Sequence, residues 1–348
     1  MSAMSLSTRP LGPGPNAPQI SCMGLGFGSL CGFYGPAGSF ESRLSLLDHA
    51  YSTGLRFWDL ADIYGDAEDL VREWLKRAGP ARREDVFIAT KFGLQRQADG
   101  LHKFRSDPEY VQEACERSLE RLGVDDIDLY YCHRVDGVTP IERTVEAMVE
   151  LKKQGKIRHL GLSDVSASTL RRAHAVHPVA ALQVKYSLFT LDIESPESNI
   201  LRAARELGVT VIAFSPIGRG ILSGPFTSHT SIPEGNLRRM YPKYAETNFP
   251  AILKLVKGLK DVASARSRGA ERSVTPAQIA LAWLLAQGND VIPIPGTKSA
   301  ARMGENAAAA RIELTEQEPE GLGLWRRMRQ QRSRGRGTLL RKYLFSLF

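Results

Sequence analysis

Residues Phe57 to Gly65 read "FWDLADIYG", a short apolar run that ends in two aspartates and a tyrosine. Strand alternation puts Phe57 and Asp59 on one face. A carboxylate at the end of a buried strand is costly unless it is paired, so the placement marks either a satisfied structural charge or a reaction site. The same reading applies to "VFIATK", where Phe87, Ala89 and Lys91 share a face, and to "DLYYCH", where Leu129, Tyr131 and His133 do. Three successive strands then aim an acid, an amine and an imidazole toward one mouth. Tyr64 lies far enough past Asp59 for the following loop to return its ring over that mouth.

Outward from this stretch, short apolar runs alternate with segments of helical period. The strands are expected at 20–26, 55–60, 86–91, 128–133, 159–163, 181–185, 210–215 and 291–295. Helices are expected between them at 41–53, 67–78, 108–122, 141–154, 168–176, 197–207 and 276–287. In "GVTPIERTVEAMVELKKQGKI", Thr139 is a candidate N-cap, Pro140 opens the first turn and Gly155 follows the last. Such alternation favours parallel strands joined by helical crossovers, and eight units fit a single-domain (β/α)8 TIM barrel over residues 1–310. Periodicity alone leaves an open doubly wound sheet as the alternative. The stretch "SGPFTSHTSIPEGNLRRMYPKYAETNFP" after the seventh strand reads as a loop over the site, not a further domain.

Composition narrows the function classes. The 348 residues, 43% of them hydrophobic, can bury a large core. The formal charge of +8 suggests a nucleic-acid or membrane partner until it is located: residues 321–348 hold eight basic side chains and no acid. Removing those eight from 46 leaves 38 basic residues against 38 acidic ones. The basicity belongs to an atypical tail, residues 311–348, and the body has no basic stripe for nucleic acid. Pro319, Gly321 and Gly323 interrupt any helix there, and a disordered tail or a coding-frame error is favoured over a binding arm. Cys22, Cys31, Cys115 and Cys132 lack C-x-x-C spacing and read as reduced thiols; His174 and His177 have no acidic or thiol neighbour at ligand spacing, so no metal is expected. Neither a signal peptide nor a membrane-length apolar run is found, which points to the cytoplasm.

The ordered motifs resemble those of the aldo-keto reductase family. "DLADIYG" is similar to that family's D-x-A-x-x-Y-G, "ATKFG" to its lysine strand, "LYYCHRVD" to its histidine strand and "KYSL" after Gln183 to its Q-x-x-Y-S stretch. "AFSPIGRGILSG" resembles its seventh-strand loop and "IPGTKSAARMGEN" its eighth-strand cofactor segment. "HRVD", "SPIGRG" and "RRMYPKYAETNF" look most like the branch that holds pyridoxal reductases and plant or fungal carbonyl reductases. The resemblance implies reduction of an aldehyde or ketone by NADPH. Tyr64 would be the general acid, Lys91 the cation that makes it one, Asp59 the acid that holds Lys91, and His133 the donor that orients the carbonyl. A free tyrosine has a pKa of about 10, so lowering it by about 3 units asks for roughly 4 kcal/mol of phenolate stabilisation, which a nearby ammonium can largely supply. Asp62 is expected to be solvated or bonded within its loop.

The resemblance also implies a cofactor set. Ser163, Asp164 and Gln183 would meet the nicotinamide carboxamide and Phe214 would stack on its ring; Asp164 stands where many relatives carry Asn, and an ionised acid cannot donate. Ser215, Gly218 and Gly220 would approach the pyrophosphate, and Gly28 and Ser29 would line the cofactor's edge. Lys298, Ser299 and Arg302 place two cations and a hydroxyl at a helix start, which suits a 2'-phosphate and argues for NADPH over NADH. Glu305 and Asn306 would face the adenine. Phe33, Tyr34, Phe92, Arg134 and the segment from Met240 to Phe249 are candidate substrate walls. No nucleic-acid, membrane or obligate protein partner is expected. The rival function is a barrel that keeps the cofactor pocket to sense NADP(H) and regulate a protein.

Overall fold

A computed structural model of the protein describes residues 6–32, 36–97, 101–269 and 273–315. Eight strands carry the architecture: β1 (Gly24–Gly26), β2 (Phe57–Asp59), β3 (Phe87–Phe92), β4 (Ile127–Cys132), β5 (Ile157–Ser163), β6 (Ala181–Lys185), β7 (Thr210–Phe214) and β8 (Val291–Pro293). Each pairs in parallel with the next in chain order, without the reversal that an open doubly wound sheet would show. The ends meet where the chain leaves β8: the Gly26 amide donates to the Pro295 carbonyl at 3.3 Å. A Cβ on Gly26 would sit 2.8 Å from the Ile294 oxygen, and one on Gly296 would sit 2.6 Å from the Gly26 oxygen. Only glycine permits that closure.

Inside the barrel, Phe57, Ala89, Leu129, Tyr131, Ala181, Ile212 and Ile292 form one buried cluster, as expected for layers of inward side chains. Gly161 makes room for one of them, since a Cβ there would lie 2.4 Å from the Tyr131 ring. Leu11 and Ile20 join the same cluster from an N-terminal hairpin, Thr8–Pro10 against Gln19–Ser21, that closes the amino end. Its Arg9 donates to the carbonyls of Leu285, Gly288 and Val291 at 2.7, 2.7 and 2.5 Å. The strand expected over 20–26 is therefore two: pairing with the hairpin ends at Ser21 and pairing with β2 begins at Gly24.

The outer wall is covered by α1 (Phe40–Ser52), α2 (Ala67–Ala78), α3 (Pro108–Leu122), α4 (Ile141–Lys153), α5 (Ala167–Val176), α6 (Ile200–Glu206), α7 (Phe249–Ser267), α8 (Pro276–Leu285) and α9 (Ala300–Ala308). Their apolar stripes and the outward strand residues make a second, larger core. Ser39, Asp107, Ser166 and Thr275 cap α1, α3, α5 and α8, the last as a reciprocal capping box with Gln278. At α4 the expected Thr139 cap is replaced. Asp136 accepts from the amides of Val138 and Thr139 and from the Thr139 hydroxyl, so the turn before the helix is bonded by the acid.

A small hairpin, Leu94–Arg96 with His102–Phe104, follows β3. The long segment after β7 forms single turns that pack on the β7 loop. Tyr244 is buried there, donates to the Gly218 carbonyl at 2.9 Å and stacks on Phe189 at 5.5 Å. Among the described residues no helix is long and apolar enough to cross a membrane. The basic tail, beyond Thr315, lies outside the described residues.

Candidate active site

The carboxyl ends of β2, β3, β4 and β6 converge on one buried charge pair. Lys91 Nζ lies 2.5 Å from Asp59 Oδ1 and also donates to the Leu60 carbonyl. Gln183, from β6, donates its amide to Asp59 Oδ2 at 2.7 Å. The side chains of Lys91 and Asp59 are 0% and 3% exposed, so water cannot compete for either. Burial pushes the Lys91 ammonium down and the Asp59 carboxyl up, and their mutual attraction opposes both shifts. Removing either partner would strand a buried charge.

Tyr64 and His133 complete the group. Lys91 Nζ stands 5.3 Å from the centre of the Tyr64 ring, and the Tyr64 and His133 rings meet edge to face at 5.9 Å. The main chain sets that ring: Asp62 N donates to Lys91 O at 3.0 Å, and Tyr64 O accepts from Ala67 N at 3.1 Å at the start of α2. His133 is buried beside two cations. Burial first, then Lys91 and Arg134, hold its imidazole well below the usual pKa, so it is neutral. Its Nδ1 has no hydrogen-bond partner among the described residues. A neutral imidazole has one N–H to give, which suits orientation of a carbonyl oxygen.

The expected cofactor residues stand at the ends of β5, β6 and β7, in the loops after β1 and β7, and at α9. Ser163 is buried at the end of β5, Gln183 is tied to Asp59, and Phe214 ends β7 with its ring 5.7 Å from Lys185 Nζ. Asp164, in the left-handed region at φ 49°, pairs with Arg134 at 2.8 Å. Arg134 also donates to Ser163 Oγ at 3.1 Å and to the His133 carbonyl at 2.6 Å. The acid at position 164 thus has its own counter-charge. Ser215, Gly218 and Gly220 have φ of 52°, 58° and 86°, a run of tight turns that brings backbone to the surface of the loop. Gly28 faces the phenol end of Tyr64: a Cβ there would lie 3.8 Å from Cζ. Ser29 Oγ is buried with no hydrogen-bond partner among the described residues.

At α9, Ser299 caps the helix by accepting from the Arg302 amide at 3.4 Å, and Lys298 donates to the Pro36 carbonyl at 2.7 Å. Arg302 is exposed and makes no ion pair among the described residues. Asn306 is buried on the same helix. Glu305 is turned toward α8, where its Oε1 accepts from the Thr275 hydroxyl at 2.6 Å.

One expectation is corrected. Phe92 is not a wall of the mouth: it follows inward-facing Lys91, points out of the barrel, is 0% exposed in the outer core and stacks on Tyr130 at 4.9 Å. Asp62 is half-buried and bonded to the Ile63 backbone in its own loop, the second of its two expected alternatives. Burial and then the neighbouring Glu68 push its carboxyl up to about 7, and its Oδ1 has no hydrogen-bond partner among the described residues. Of the other wall candidates, Met240 is exposed, Tyr244 and Phe249 are buried, and Phe33 and Tyr34 lie outside the described residues.

Two further neighbours lie on a face and in a segment that the sequence reading named without giving either residue a role. Tyr131, inward by the same alternation as His133, lies 5.7 Å from Lys91 Nζ, and burial with Asp59 nearby keeps it a neutral phenol. Lys243 reaches the same rim from the long loop, its Nζ 5.0 Å from the Phe189 ring, and burial with Lys185 and Arg219 close by pushes it down to about 7. No three His, Cys, Asp or Glu side chains converge as a metal-binding group among the described residues.

Comparison with known proteins accords with this geometry. The chain is 50% identical over 322 residues to aldo-keto reductase str7 of Strobilurus tenacellus, which covers 90% of both proteins. It is 42% identical over 316 residues to aldo-keto reductase yakc of Schizosaccharomyces pombe, whose name carries NADP(+), with 90% and 89% covered. Among solved structures, the glycerol dehydrogenase AKR11B4 from Gluconobacter oxydans superposes with a TM-score of 0.81 at 27% identity, over 94% of this chain and 96% of that one. A barrel with a buried Asp–Lys pair beneath a tyrosine is matched by the Aldo/keto reductase family model over residues 23–322, and the chain belongs to that family.

Proposed function

We propose that the protein reduces the carbonyl group of a small aldehyde or ketone to an alcohol with NADPH, and that Tyr64 delivers the proton. The observation that carries this reading is the solvent-excluded Lys91–Asp59 pair, with Lys91 Nζ 5.3 Å from the Tyr64 ring.

The residues present fit the dinucleotide. Phe214, Ser163 and Gln183 would hold its nicotinamide end, the turns from Ser215 to Gly220 its pyrophosphate, and Lys298, Ser299 and Arg302 its 2'-phosphate. Arg302, an uncompensated guanidinium at a helix start, is the feature that favours a phosphorylated ribose. Buried Ser29 Oγ, without a partner among the described residues, is a donor left over for that edge. When bound, NADPH supplies a hydride to the carbonyl carbon.

The chain supplies the rest. His133, as a neutral donor, fixes the direction of the carbonyl oxygen. Tyr64 gives its hydroxyl proton to that oxygen as negative charge develops there, so hydride and proton together make the alcohol. Lys91 stabilises the phenolate left behind, in a pocket where a charge acts more strongly than in water. Asp59, Gln183 and the Leu60 carbonyl keep the ammonium aimed. The rim loops exclude water from the mouth. We assign the enzyme to small-molecule metabolism in the cytoplasm, where its four free cysteines stay reduced.

The test is consumption of NADPH, followed by its absorbance, across a panel of aldehydes and ketones. Turnover of at least one class is expected; protein that binds NADPH yet oxidises none with any carbonyl sinks the reading. Arg302→Ala should weaken NADPH by about 10-fold or more, as expected for a lost charge-assisted contact, and leave NADH nearly unchanged. Equal losses for both would remove the 2'-phosphate assignment.

A further inference from the structure

Arg121 lies on α3, outside the barrel wall, and its guanidinium reaches under the loop that carries Tyr64. Nη1 donates to the Asp62 carbonyl at 3.1 Å and Nη2 to the Gly65 carbonyl at 2.5 Å. One planar group therefore holds the backbone on both sides of the tyrosine. The same group is fixed from behind. Nε and Nη2 donate to Asp69 Oδ2 at 3.1 and 2.8 Å, and Nη1 lies 3.0 Å from Glu68 Oε2. Glu68 is fully buried and accepts from Thr90 at 2.7 Å, the residue beside Lys91 on β3. Thus α2, α3 and β3, packed in one outer core, are joined to the Tyr64 loop through the Arg121 side chain and its partners.

We propose that Arg121 is a positioning residue for proton transfer: by clamping the carbonyls of Asp62 and Gly65 it holds the Tyr64 hydroxyl in reach of both Lys91 and the substrate oxygen. The inference rests on Tyr64 being the proton donor. Its chemistry explains why arginine serves. Five N–H groups in a fixed plane can bond two carbonyls and a carboxylate while the charge faces a second carboxylate, and an ammonium at the end of a flexible stem cannot. A loop free to shift by about 1 Å would lose about 100-fold in rate. Neither the cofactor rim nor the substrate walls touch this clamp, so its loss is felt in chemistry and not in binding.

Arg121→Lys keeps the charge beside Glu68 and Asp69 but gives up the fork. In this variant kcat should fall about 10- to 100-fold, with KM and NADPH affinity within about 2-fold of the native enzyme. The primary deuterium isotope effect with deuterated NADPH should rise as chemistry becomes rate-limiting. A merely structural arginine would lower the melting temperature and leave that split unmoved. In a Tyr64→Phe background the same change should cause no additional loss. Arg121→Ala serves as the second variant where it folds. A folded Arg121→Lys enzyme with native kcat and isotope effect overturns the clamp and leaves Tyr64 its role. Full activity in Tyr64→Phe alone overturns both.

Discussion

Asp59 and Asp62 stand at one strand end, three residues apart, and meet opposite environments. Asp59 turns into the barrel, where Lys91 at 2.5 Å and Gln183 at 2.7 Å take both its oxygens. Asp62 faces the layer between wall and helices, toward Glu68 on α2, Arg117, Arg121 and Tyr110 on α3, Lys91 on β3 and Tyr130 on β4. There its carboxyl rises to about 7. Burial alone does not make an acid part of the chemistry. What distinguishes the inner cluster is a cation that pairs with the acid on one side and stands 5.3 Å from the ring of the proposed proton donor on the other. The outer cluster carries the like charges of Asp62, Glu68 and Asp69 around an arginine shared with the backbone.

The inner cluster breaks hardest. Lys91→Met should lower kcat by about 1,000-fold, the equivalent of the roughly 4 kcal/mol that a lowered phenol demands. It should also destabilise the fold by about 3–5 kcal/mol, because Asp59 is left as an unpaired buried charge. Steady-state kinetics and urea unfolding check both, and an active Lys91→Met enzyme would show that the ammonium is not what acidifies Tyr64.

The outer cluster gives a smaller effect of opposite sign. The Asp62 carboxyl is raised in the folded protein, so between about pH 4 and pH 7 the fold binds a proton that the unfolded chain has released. Stability from this group therefore falls as pH rises through that window and stays low above it. Asp62→Asn removes the loss. Its melting temperature should match the native one near pH 4 and exceed it by about 3 °C at pH 8. A difference independent of pH would contradict the assignment of a half-buried, protonatable Asp62.

Much of the inner cluster was legible in the sequence, because a period of two assigns faces without any knowledge of the fold. Phe57 and Asp59, Ala89 and Lys91, and Tyr131 and His133 share faces as read. The same rule places Phe92, the residue after Lys91, outside the mouth, and the structure agrees with the rule over the looser expectation. Legibility stopped at strand ends. Asp62 sits in a loop, where alternation has no hold, and its burial depends on α2 and α3. Arg121 binds carbonyls 59 and 56 residues away, a contact that only tertiary packing creates. The stretch 20–26 divides for a related reason: Ile20 and Leu25 are both buried apolar residues, yet one belongs to the hairpin that closes the barrel and the other to its wall. The hydrogen bond of Glu305 with the Thr275 hydroxyl is likewise a tertiary contact between helices that spacing does not reveal.

In the proposed reaction, Lys91 makes Tyr64 the proton donor to a substrate whose carbon takes the hydride. The direct test compares native enzyme with Tyr64→Phe on whichever carbonyl compound the native enzyme reduces, with NADPH affinity measured on the same preparations by fluorescence. The expected result is loss of reduction by about 1,000-fold or more with NADPH affinity unchanged within about 2-fold. A phenylalanine enzyme that binds NADPH and turns over at the native rate would contradict it.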